Sequence, residues 1–397
     1  MINRVASFHN YQSVQNEHRR LESKVNYNQQ QLASGKQLIS PGDDPIATHY
    51  VQQVKQQDEQ VNQFIDAIVL VRNRLEHKEV LISSAEQYSD QAKRSTMEMV
   101  NGALSPEDRQ AHATQLQELS RNLLQLVNSQ DETGNYTFAG TKPKTQPFFM
   151  DAAGKVSYAG DSYQRLMKIS TNTEVATNEP GNKLFMEVVN PYGDYRPSYT
   201  LQSGSELQLA NAQNLDAADT ANYKVTFVAM PNGDFGYQLE QNGVAVKQDI
   251  YDPSQGIQFN DLSVTVKGLI QAGDSIELSP QKTFSVFDTF QDAVALAKES
   301  VSDASATAEL HRATDEFQAA FGHLAKVRTS VGTRLSSLDV HEAQHEDFKL
   351  SLAKSKSRFE DLDYAKAVID FNENQMALKA SQTAFGKVKD LTLFNYI

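Results

Sequence analysis

The chain has 397 residues, no cysteine and a formal net charge of -13. This acidic balance argues against nucleic acid or an anionic membrane as the main partner, because both would repel the chain. Without cysteine, no disulfide, thiolate nucleophile or thiolate metal site is possible. Mean hydropathy is -0.53, which is typical of elongated helical proteins that carry much surface per core residue.

The first ten residues show no charged stretch followed by an apolar run, so no cleavable signal peptide is predicted. No stretch approaches the ~18 consecutive apolar residues that suggest a membrane span. The chain is therefore expected either to stay in the cytoplasm or to leave it by a route that needs no cleaved signal.

The N-terminal part of the chain is predicted to be helical. Its first helix carries a heptad-like stripe, Val14, His18, Leu21, Val25, Asn28 and Leu32. Gly35 ends this stripe. Because Asp44 is a good N-cap residue and Pro45 suits the first helical position, a second helix is predicted to begin there.

The second and third helices follow from the same signals. The second has an apolar stripe at Val61, Phe64, Ile68, Val71 and Leu75. Ser105 and Pro106 predict the start of a third helix, with a stripe at Leu116, Leu119, Leu123 and Leu126. Gly134 is the predicted C-cap residue of this helix.

The middle of the chain is predicted to be β-structure. Thirteen of the 19 glycines and eight of the 11 prolines lie between residues 134 and 280. Asn-Gly pairs at 232–233 and 242–243 separate three β-prone runs, which predicts two successive hairpins and an antiparallel meander. Further strands are predicted at 262–266 and 275–278.

The C-terminal part returns to helix. One stripe comprises Leu324, Val327, Val331, Leu335 and Leu338, and another comprises Val368, Phe371, Gln375, Leu378, Gln382 and Phe385. Helix at both ends with β-structure between them predicts a long antiparallel helical hairpin. Since isolated helices with polar stripe positions are marginal, we hypothesise that the two ends fold together on assembly.

Motifs in the first half of the chain carry a family resemblance. They are Leu32–Lys36, Asp43–Ala47, and Tyr136–Lys142 with its continuation to Pro147 and Phe148. Matching motifs follow near the other end, at Val327–Leu335, Asp361–Ala367 and Ala380–Ile397. In this order, these segments resemble the bacterial flagellin family over both flanks, about 250 residues, and the central region shows no specific resemblance.

Two details make the chain more similar to the junction members of that family than to filament flagellins. Pro45-Ile46-Ala47 follows the aspartate pair, where filament flagellins more usually have small residues. Phe138-Ala139-Gly140 is also more similar to the junction members. A filament flagellin remains the alternative.

The resemblance implies a structural subunit that joins hook to filament as a ring-forming adaptor on which flagellin polymerises. Its implied partners are copies of itself, a second hook-associated junction protein, flagellin on the filament side, an export chaperone and the flagellar type III export apparatus. It implies no enzyme activity and no cofactor, and a location in the extracellular flagellum after export without a cleaved signal peptide.

The sequence also contains one motif that favours a different function. His341-Glu342-Ala343-Gln344-His345 matches the H-E-x-x-H pattern, in which two histidines on one helix face bind zinc and the glutamate acts as a base. The third histidine and the glycine of the extended metzincin pattern are absent after His345. A zinc metalloprotease is therefore kept only as a remote alternative, and no metal site or catalytic residue is predicted.

The predicted fold class is α+β, an elongated helical rod with coiled-coil ends and an inserted antiparallel β-domain. The predicted segments are 1–44 and 355–397 for assembly, 45–133 and 284–354 for the rod, and 134–283 for the variable domain. The predicted assembly residues are Leu21, Val25, Leu32, Val368, Phe371, Leu378 and Phe385. Asp43 and Asp44 are expected to form a capping turn rather than a catalytic pair, and deletion of roughly residues 150–280 is expected to leave assembly intact.

Overall fold

The computed structural model describes residues 2–100, 104–216, 218–230, 234–298 and 303–390. Within these ranges, side chains are described for His9 and for residues 12–386. The predicted turn at Pro231-Asn232-Gly233 and the predicted closing segment from Leu391 to Ile397 lie outside the described residues.

The helices lie in the two flanks, as predicted. They are α1 (Ile2–Ser34), α2 (Pro45–Val100), α3 (Pro106–Val127), α4 (Val286–Lys298), α5 (Ala304–Glu360) and α6 (Tyr364–Asp390). A short π-helix spans Asn182–Met186. The α+β class with terminal helices and a central antiparallel β-region is confirmed.

The strands all lie between α3 and α4. They are β1 (Phe148–Met150), β2 (Val156–Tyr158), β3 (Leu166–Ser170), β4 (Thr173–Ala176), β5 (Val188–Val189), β6 (Tyr195–Thr200), β7 (Gln208–Asn214), β8 (Tyr223–Ala229), β9 (Phe235–Gln241), β10 (Val244–Ile250), β11 (Ile257–Phe259), β12 (Leu262–Lys267), β13 (Ser275–Pro280) and β14 (Thr283–Phe284). A five-stranded sheet has the order β10-β9-β8-β13-β6, and a three-stranded sheet has the order β11-β12-β7.

The predicted meander is confirmed, since β8 pairs with β9 and β9 pairs with β10, both antiparallel. The turn between β9 and β10 has φ of 51° at Asn242 and 80° at Gly243. Positive φ at both central positions is what a type I′ turn requires, and asparagine and glycine tolerate it. The strands predicted at 262–266 and 275–278 are β12 and β13.

The predicted C-cap at Gly134 is wrong. The helix α3 ends at Val127, and Asn128 is its C-cap residue. The amide of Asn128 exchanges two hydrogen bonds with the backbone of Phe148, at 2.9 and 3.0 Å, which fixes the chain at this point. Gly134 instead closes a separate turn in which its N–H donates to the carbonyl of Asp131. The start of α3 is as predicted, with a capping box between Ser105 and Asp108.

The chain divides into two compact units, a terminal unit (residues 1–66 and 340–397) and a central unit (residues 67–339). The central unit contains two hydrophobic cores. The first joins α2, α3, α4 and α5 to the segment from Phe138 to Val188, and Phe148, Phe185 and Phe290 are among its fully buried side chains. The second lies between the two larger sheets and includes Tyr195, Phe227 and Leu239.

The second core belongs to an insertion whose ends lie side by side. Strands β5 and β14 pair across its entry and exit. Just beyond them, the backbone N–H of Asn190 donates to the carbonyl of Lys282 at 3.0 Å, and its side chain donates to the carbonyl of Gln281 at 2.7 Å. Residues 191–281 therefore leave the helical core and return to it at one place.

A buried ionic cluster fixes this insertion to the helices. Arg196 of β6 contacts Glu316 of α5 at 2.9 Å and Asp292 of α4 at 2.6 Å. Arg312 contacts the same two carboxylates and also Glu309. Each guanidinium is thus paired, which is the condition for burying charge without a large penalty.

Side chains of α5 also accept hydrogen bonds from backbone N–H groups at the edge of the five-stranded sheet. The backbone N–H of Tyr199 donates to Glu309 at 3.0 Å, and that of Leu201 donates to the hydroxyl of Ser305 at 2.8 Å. Side chains of a helix thereby take the place of a neighbouring strand, which protects the edge formed by β6 from pairing with another chain.

We predict that Arg196→Ala lowers the free energy of unfolding by about 3–5 kcal/mol, because it leaves the buried carboxylate of Glu316 with one partner fewer. The measurement is urea unfolding followed by circular dichroism. Arg121→Ala is the matched control, since its ion pair with Glu118 is exposed and should change stability by less than about 1 kcal/mol. Equal effects of the two substitutions would contradict the assignment.

Candidate assembly interface

In the terminal unit, α1 and α6 pack against each other in antiparallel orientation. The ring centroids of His18 and Phe385 lie 5.9 Å apart in an edge-on arrangement near one end of the pair. At the other end, Gly35 lies against the hydroxyl of Tyr364. The predicted stripes of the two helices therefore face each other within a single chain.

The predicted assembly residues differ in how far this pairing covers them. Leu21 is buried, with 8% of its surface exposed. Five others are half-buried, namely Val25, Leu32, Phe371, Leu378 and Phe385. Val368 is 44% exposed, because its neighbour Ala367, at 4%, occupies the inward position of the first turn of α6. Val368 lies instead with exposed Ile369 and Met376 on the outer surface of α6.

One polar residue of the stripe is buried. Asn28 is 8% exposed, and with its amide oriented to suit its neighbours it donates to the carbonyl of Lys24 and accepts from the amide of Asn374, each at 3.2 Å. A single buried asparagine between paired helices favours the one register in which its hydrogen bonds are made. Asn28 thus helps to set the register of α1 against α6, although a polar residue contributes less to the apolar core of the pair.

The segments that connect α1 to α2 and α5 to α6 are joined by a linker clasp, defined as residues 35–37 and 360–362. The backbone N–H of Gln37 donates to the carbonyl of Glu360 at 2.8 Å, and that of Leu362 donates to the carbonyl of Gly35 at 3.0 Å. Gly35 has φ of 70°, and a Cβ there would lie 2.9 Å from the hydroxyl of Tyr364. A side chain at residue 35 would be strained in conformation and crowded by this contact.

Three lysines surround the carboxylate of the clasp. Lys36 contacts Glu360 at 2.7 Å, Lys356 at 3.5 Å and Lys55 at 3.8 Å. Burial by itself raises the pKa of Glu360, but the hydrogen bond from Lys36 and the charges of the other lysines outweigh it, so this pKa lies below its usual value. The ion pairs therefore stabilise the clasp at neutral pH and are lost as the pH falls through the lowered pKa.

The aspartate pair lies in the connection between α1 and α2. The carboxylate of Asp43 accepts from the backbone N–H groups of Ile39 and Ser40 at 2.9 and 2.7 Å. The hydrogen bonds from Ser40 and Ile39 hold the pKa of Asp43 below its usual value. Asp44 accepts from two backbone N–H groups of the first turn of α2, whose first residue is Pro45, each at 3.0 Å. The two carboxylates organise separate turns.

The H-E-x-x-H histidines lie where α2 and α5 pair within the terminal unit. The ring of His345 stacks on Phe64 with centroids 5.5 Å apart, and His341 is half-buried one turn earlier. Val54, Val61 and Leu352 form a small core along the same face. The i, i+4 spacing thus matches the period of a packed helix face. Over the part of the chain with described side chains, no three His, Asp or Glu residues converge as a metal site would require.

The motif at Tyr136–Lys142 lies at the first core of the central unit. Phe138 and Ala139 are fully buried. Gly140 has φ of 68°, and a Cβ there would lie 2.2 Å from the carboxylate of Asp161. That carboxylate accepts from the backbone N–H of Thr141 at 2.9 Å. The motif therefore anchors the first strands to the helices.

Sequence reasoning did not find the linker clasp. Lys36 and Glu360 are 324 residues apart, and although Lys36 ends the Leu32–Lys36 motif, no local pattern pairs it with Glu360. The only signals were Gly35 after the last residue of α1 and the short gap between α5 and α6. Within the described residues, no helix combines the length and apolar character that a membrane span requires.

Comparison with known proteins agrees with this architecture. Residues 5–143 match the sequence model of the bacterial flagellin N-terminal helical region. The chain is 23% identical over 370 residues to flagellar hook-associated protein 3 of Escherichia coli, covering 92% of this chain and 90% of that protein.

Two crystal structures from Legionella pneumophila are similar in fold. Flagellar hook associated protein-3 has a TM-score of 0.67 at 26% identity, over 78% of this chain and 98% of its own. The flagellar junction protein FlgL has a TM-score of 0.65 at 26% identity, over 79% of this chain and all of its own. The N-terminal helical region of the chain is thus similar to that of bacterial flagellins. Over nearly its whole length the chain resembles flagellar hook-associated protein 3, the FlgL type.

We predict that Glu360→Gln loosens the linker clasp, because a neutral amide forms a weaker contact with the three lysines. The backbone amides of Gln37 and Leu362 should exchange hydrogen about fivefold faster than in the parent chain, which corresponds to about 1 kcal/mol. Glu373→Gln, on the exposed face of α6, is the control.

The measurement is hydrogen exchange with mass spectrometry on the full chain at neutral pH. Equal protection of the two amides in the parent and in Glu360→Gln would show that the carboxylate is dispensable. Exchange at unfolded rates in both proteins would instead support the hypothesis that the chain ends order only on assembly.

We predict that the purified protein holds no stoichiometric zinc, since His345 is engaged with Phe64 in the packing of two helices. The measurement is elemental analysis after dialysis against a buffer without chelator. One zinc per chain that disappears in His345→Ala would restore the metalloprotease alternative.

Proposed function

We propose that this chain is the structural subunit that joins hook to filament in the bacterial flagellum, and that it is not an enzyme. The observation that carries this proposal is the agreement over nearly the whole length with hook-associated protein 3 and with a flagellar junction protein of the same fold. The paired terminal helices, with apolar residues left on their outer surface, supply what such a subunit needs in order to pack beside its neighbours.

The assembly residues proposed for this role are Leu21, Val25, Leu32, Val368, Phe371, Leu378 and Phe385. Within one chain, most of them hold α1 against α6, while Val368 faces outward with Ile369 and Met376. We infer that the inward residues form the helix pair and that the outward residues contact neighbouring subunits. Substitution of the inward residues should therefore impair folding of the helix pair, and substitution of the outward residues should impair assembly.

The proposed partners are further copies of this chain in a ring, a second hook-associated protein on the hook side and flagellin on the filament side. An export chaperone and the type III export apparatus are proposed to deliver it without cleavage of a signal peptide. A location in the flagellum is proposed from the similarity to flagellar proteins. The motifs at Pro45 and at Phe138 favour the junction role over that of a filament flagellin.

The proposal is tested by deleting the gene in the source bacterium and restoring it on a plasmid. Electron microscopy should show bare hooks in the deletion strain, with unpolymerised flagellin in the medium, and filaments should return on complementation. Filaments that persist with only a changed composition would favour the filament flagellin. Normal flagella together with a lost proteolytic activity would favour the protease.

The structure changes the limits of the deletion that assembly should tolerate. Residues 148–188 contribute Phe148, Phe185 and Val188 to the core that they share with the helices, so a deletion from residue 150 would open that core. The insertion 191–281 has its own core and adjoining ends. The deletable segment is therefore 191–281 and not 150–280.

We predict that replacement of residues 191–281 by a short glycine-containing turn leaves flagellar assembly intact, because Asn190 and Lys282 already lie within hydrogen-bond distance. The measurement is swimming motility and filament number in the complemented deletion strain. The matched comparison is deletion of residues 150–281, which should abolish assembly. Loss of filaments in both variants, with both proteins exported, would contradict the prediction.

A further inference from the structure

A cluster of positive charge lies in the central unit, where α2 and α5 meet the strands that follow the Phe138 motif. Arg74 and Lys78 are one helical turn apart on α2. The ammonium of Lys78 donates to the carbonyl of Thr177, whose own N–H donates to the carbonyl of Arg165 at 2.8 Å. Arg334 of α5 contacts Glu179 at 2.5 Å, two residues beyond Thr177. Arg74, Arg165 and Arg334 thus all lie close enough to Lys78 for their charges to act on it, and Arg334 contacts the carboxylate of Glu179.

The cations are not equally well paired. Arg334 forms an ion pair with one carboxylate oxygen of Glu179. The other oxygen accepts a hydrogen bond from the side chain of Gln164 at 2.9 Å. Lys78 is 3% exposed and has the carbonyl of Thr177. Arg74 and Arg165 are half-buried, and within the described part of the chain neither guanidinium has a hydrogen bond or an ion pair. The Nε of Arg165 is buried without an acceptor.

The nearest other carboxylates do not complete the cluster. Asp161 accepts from the backbone N–H groups of Thr141 and Tyr163 at 2.9 and 3.1 Å. Asp131 is likewise committed to the turn that it organises, where it accepts from the N–H groups of Thr133 and Asn135. Their charges act on Arg165 only from a distance. Burial and the neighbouring Arg74 hold the pKa of Arg165 below its usual value.

In the ionic cluster at Arg196, by contrast, every guanidinium is paired with carboxylates of the same chain. There, two guanidiniums share three carboxylates, all in direct contact. At Arg74 and Arg165, two guanidiniums share none. A buried guanidinium nitrogen without an acceptor, such as Nε of Arg165, is unfavourable in a free protein, and the planar fork of an arginine matches a carboxylate in two-point contact.

We propose that Arg74 and Arg165 form the binding site for a carboxylate side chain of an adjacent subunit, supplied by a second copy of this chain. The inference rests on the proposed assembly function and deepens it. The chain has 50 acidic residues against 37 basic ones, so its copies repel one another except where a basic site of this kind meets an acidic side chain. The two arginines would thus form their ion pair with a carboxylate only in the assembled state.

The test is Arg165→Met, since methionine keeps the apolar length of the side chain and leaves the backbone hydrogen bonds of residue 165 in place. Arg94→Met on α2, the helix that carries Arg74 and Lys78, is the control, because Arg94 is 73% exposed and paired with Asp90. Two properties are measured: the thermal midpoint of the full purified chain, and its ability to restore filaments in the deletion strain.

Removal of an unpaired guanidinium should raise the thermal midpoint of Arg165→Met by about 2 °C or more, since repulsion from Arg74 and Lys78 is relieved. The same variant should restore about tenfold fewer filaments than the parent, although it is exported normally. Arg94→Met should match the parent in filament number. A more stable protein that assembles poorly is the result that a purely structural arginine would not give.

Normal filament number in Arg165→Met would overturn the inference. A lower thermal midpoint together with lost filaments would also overturn it, because the cluster would then serve folding within one chain. Inorganic phosphate is the probe for a free anion: if it raises the thermal midpoint of the parent but not of Arg165→Met, while both assemble equally, the site binds a small anion only. Failure of the parent chain itself to restore filaments would instead contradict the proposed function.

Discussion

The antiparallel pairing of the two ends of the chain is the constraint on which the rest of the structure depends. Residues more than 300 positions apart form the linker clasp and the helix pair of α1 and α6. Closing so long a loop is entropically unfavourable. The contacts along the whole length of the paired helices offset this loss of entropy. With the ends joined, residues 191–281 form an insertion with a core of its own, whereas residues 138–188 remain part of the core that they share with the helices.

The helix pair of α1 and α6 leaves part of its apolar surface uncovered. Its inward face holds Leu21 and a buried Asn28, but much of its apolar surface stays half-covered or, as at Val368, outside the pair. Such a pair is aligned by its polar residue and by the linker clasp rather than by a large core. This balance suits a subunit that must fold with a defined register and still offer apolar surface to neighbours.

Charge is handled in two contrasting ways within the central unit. At the base of the insertion, Arg196 and Arg312 have all their partners inside the chain, so this ionic cluster fixes one orientation of the insertion. Where α2 and α5 meet the first strands, the guanidiniums of Arg74 and Arg165 have no carboxylate partner among the residues that the structure describes. The first arrangement serves the folded monomer, and the second is the one that we propose a neighbouring subunit completes.

Local sequence determined the elements of this protein and much of its class. Helix and strand periods, the cap at Ser105, the turn at Asn242-Gly243 and the motifs shared with the flagellin family all depend on residues close together in the chain. Tertiary structure decided the rest, because it depends on contacts that no local pattern encodes. Phe148 binds Asn128 and so ends α3 before Gly134, and Ala367 rather than Val368 turns inward. Lys36 meets Glu360, and Lys78 meets the carbonyl of Thr177, only when the distant segments have packed.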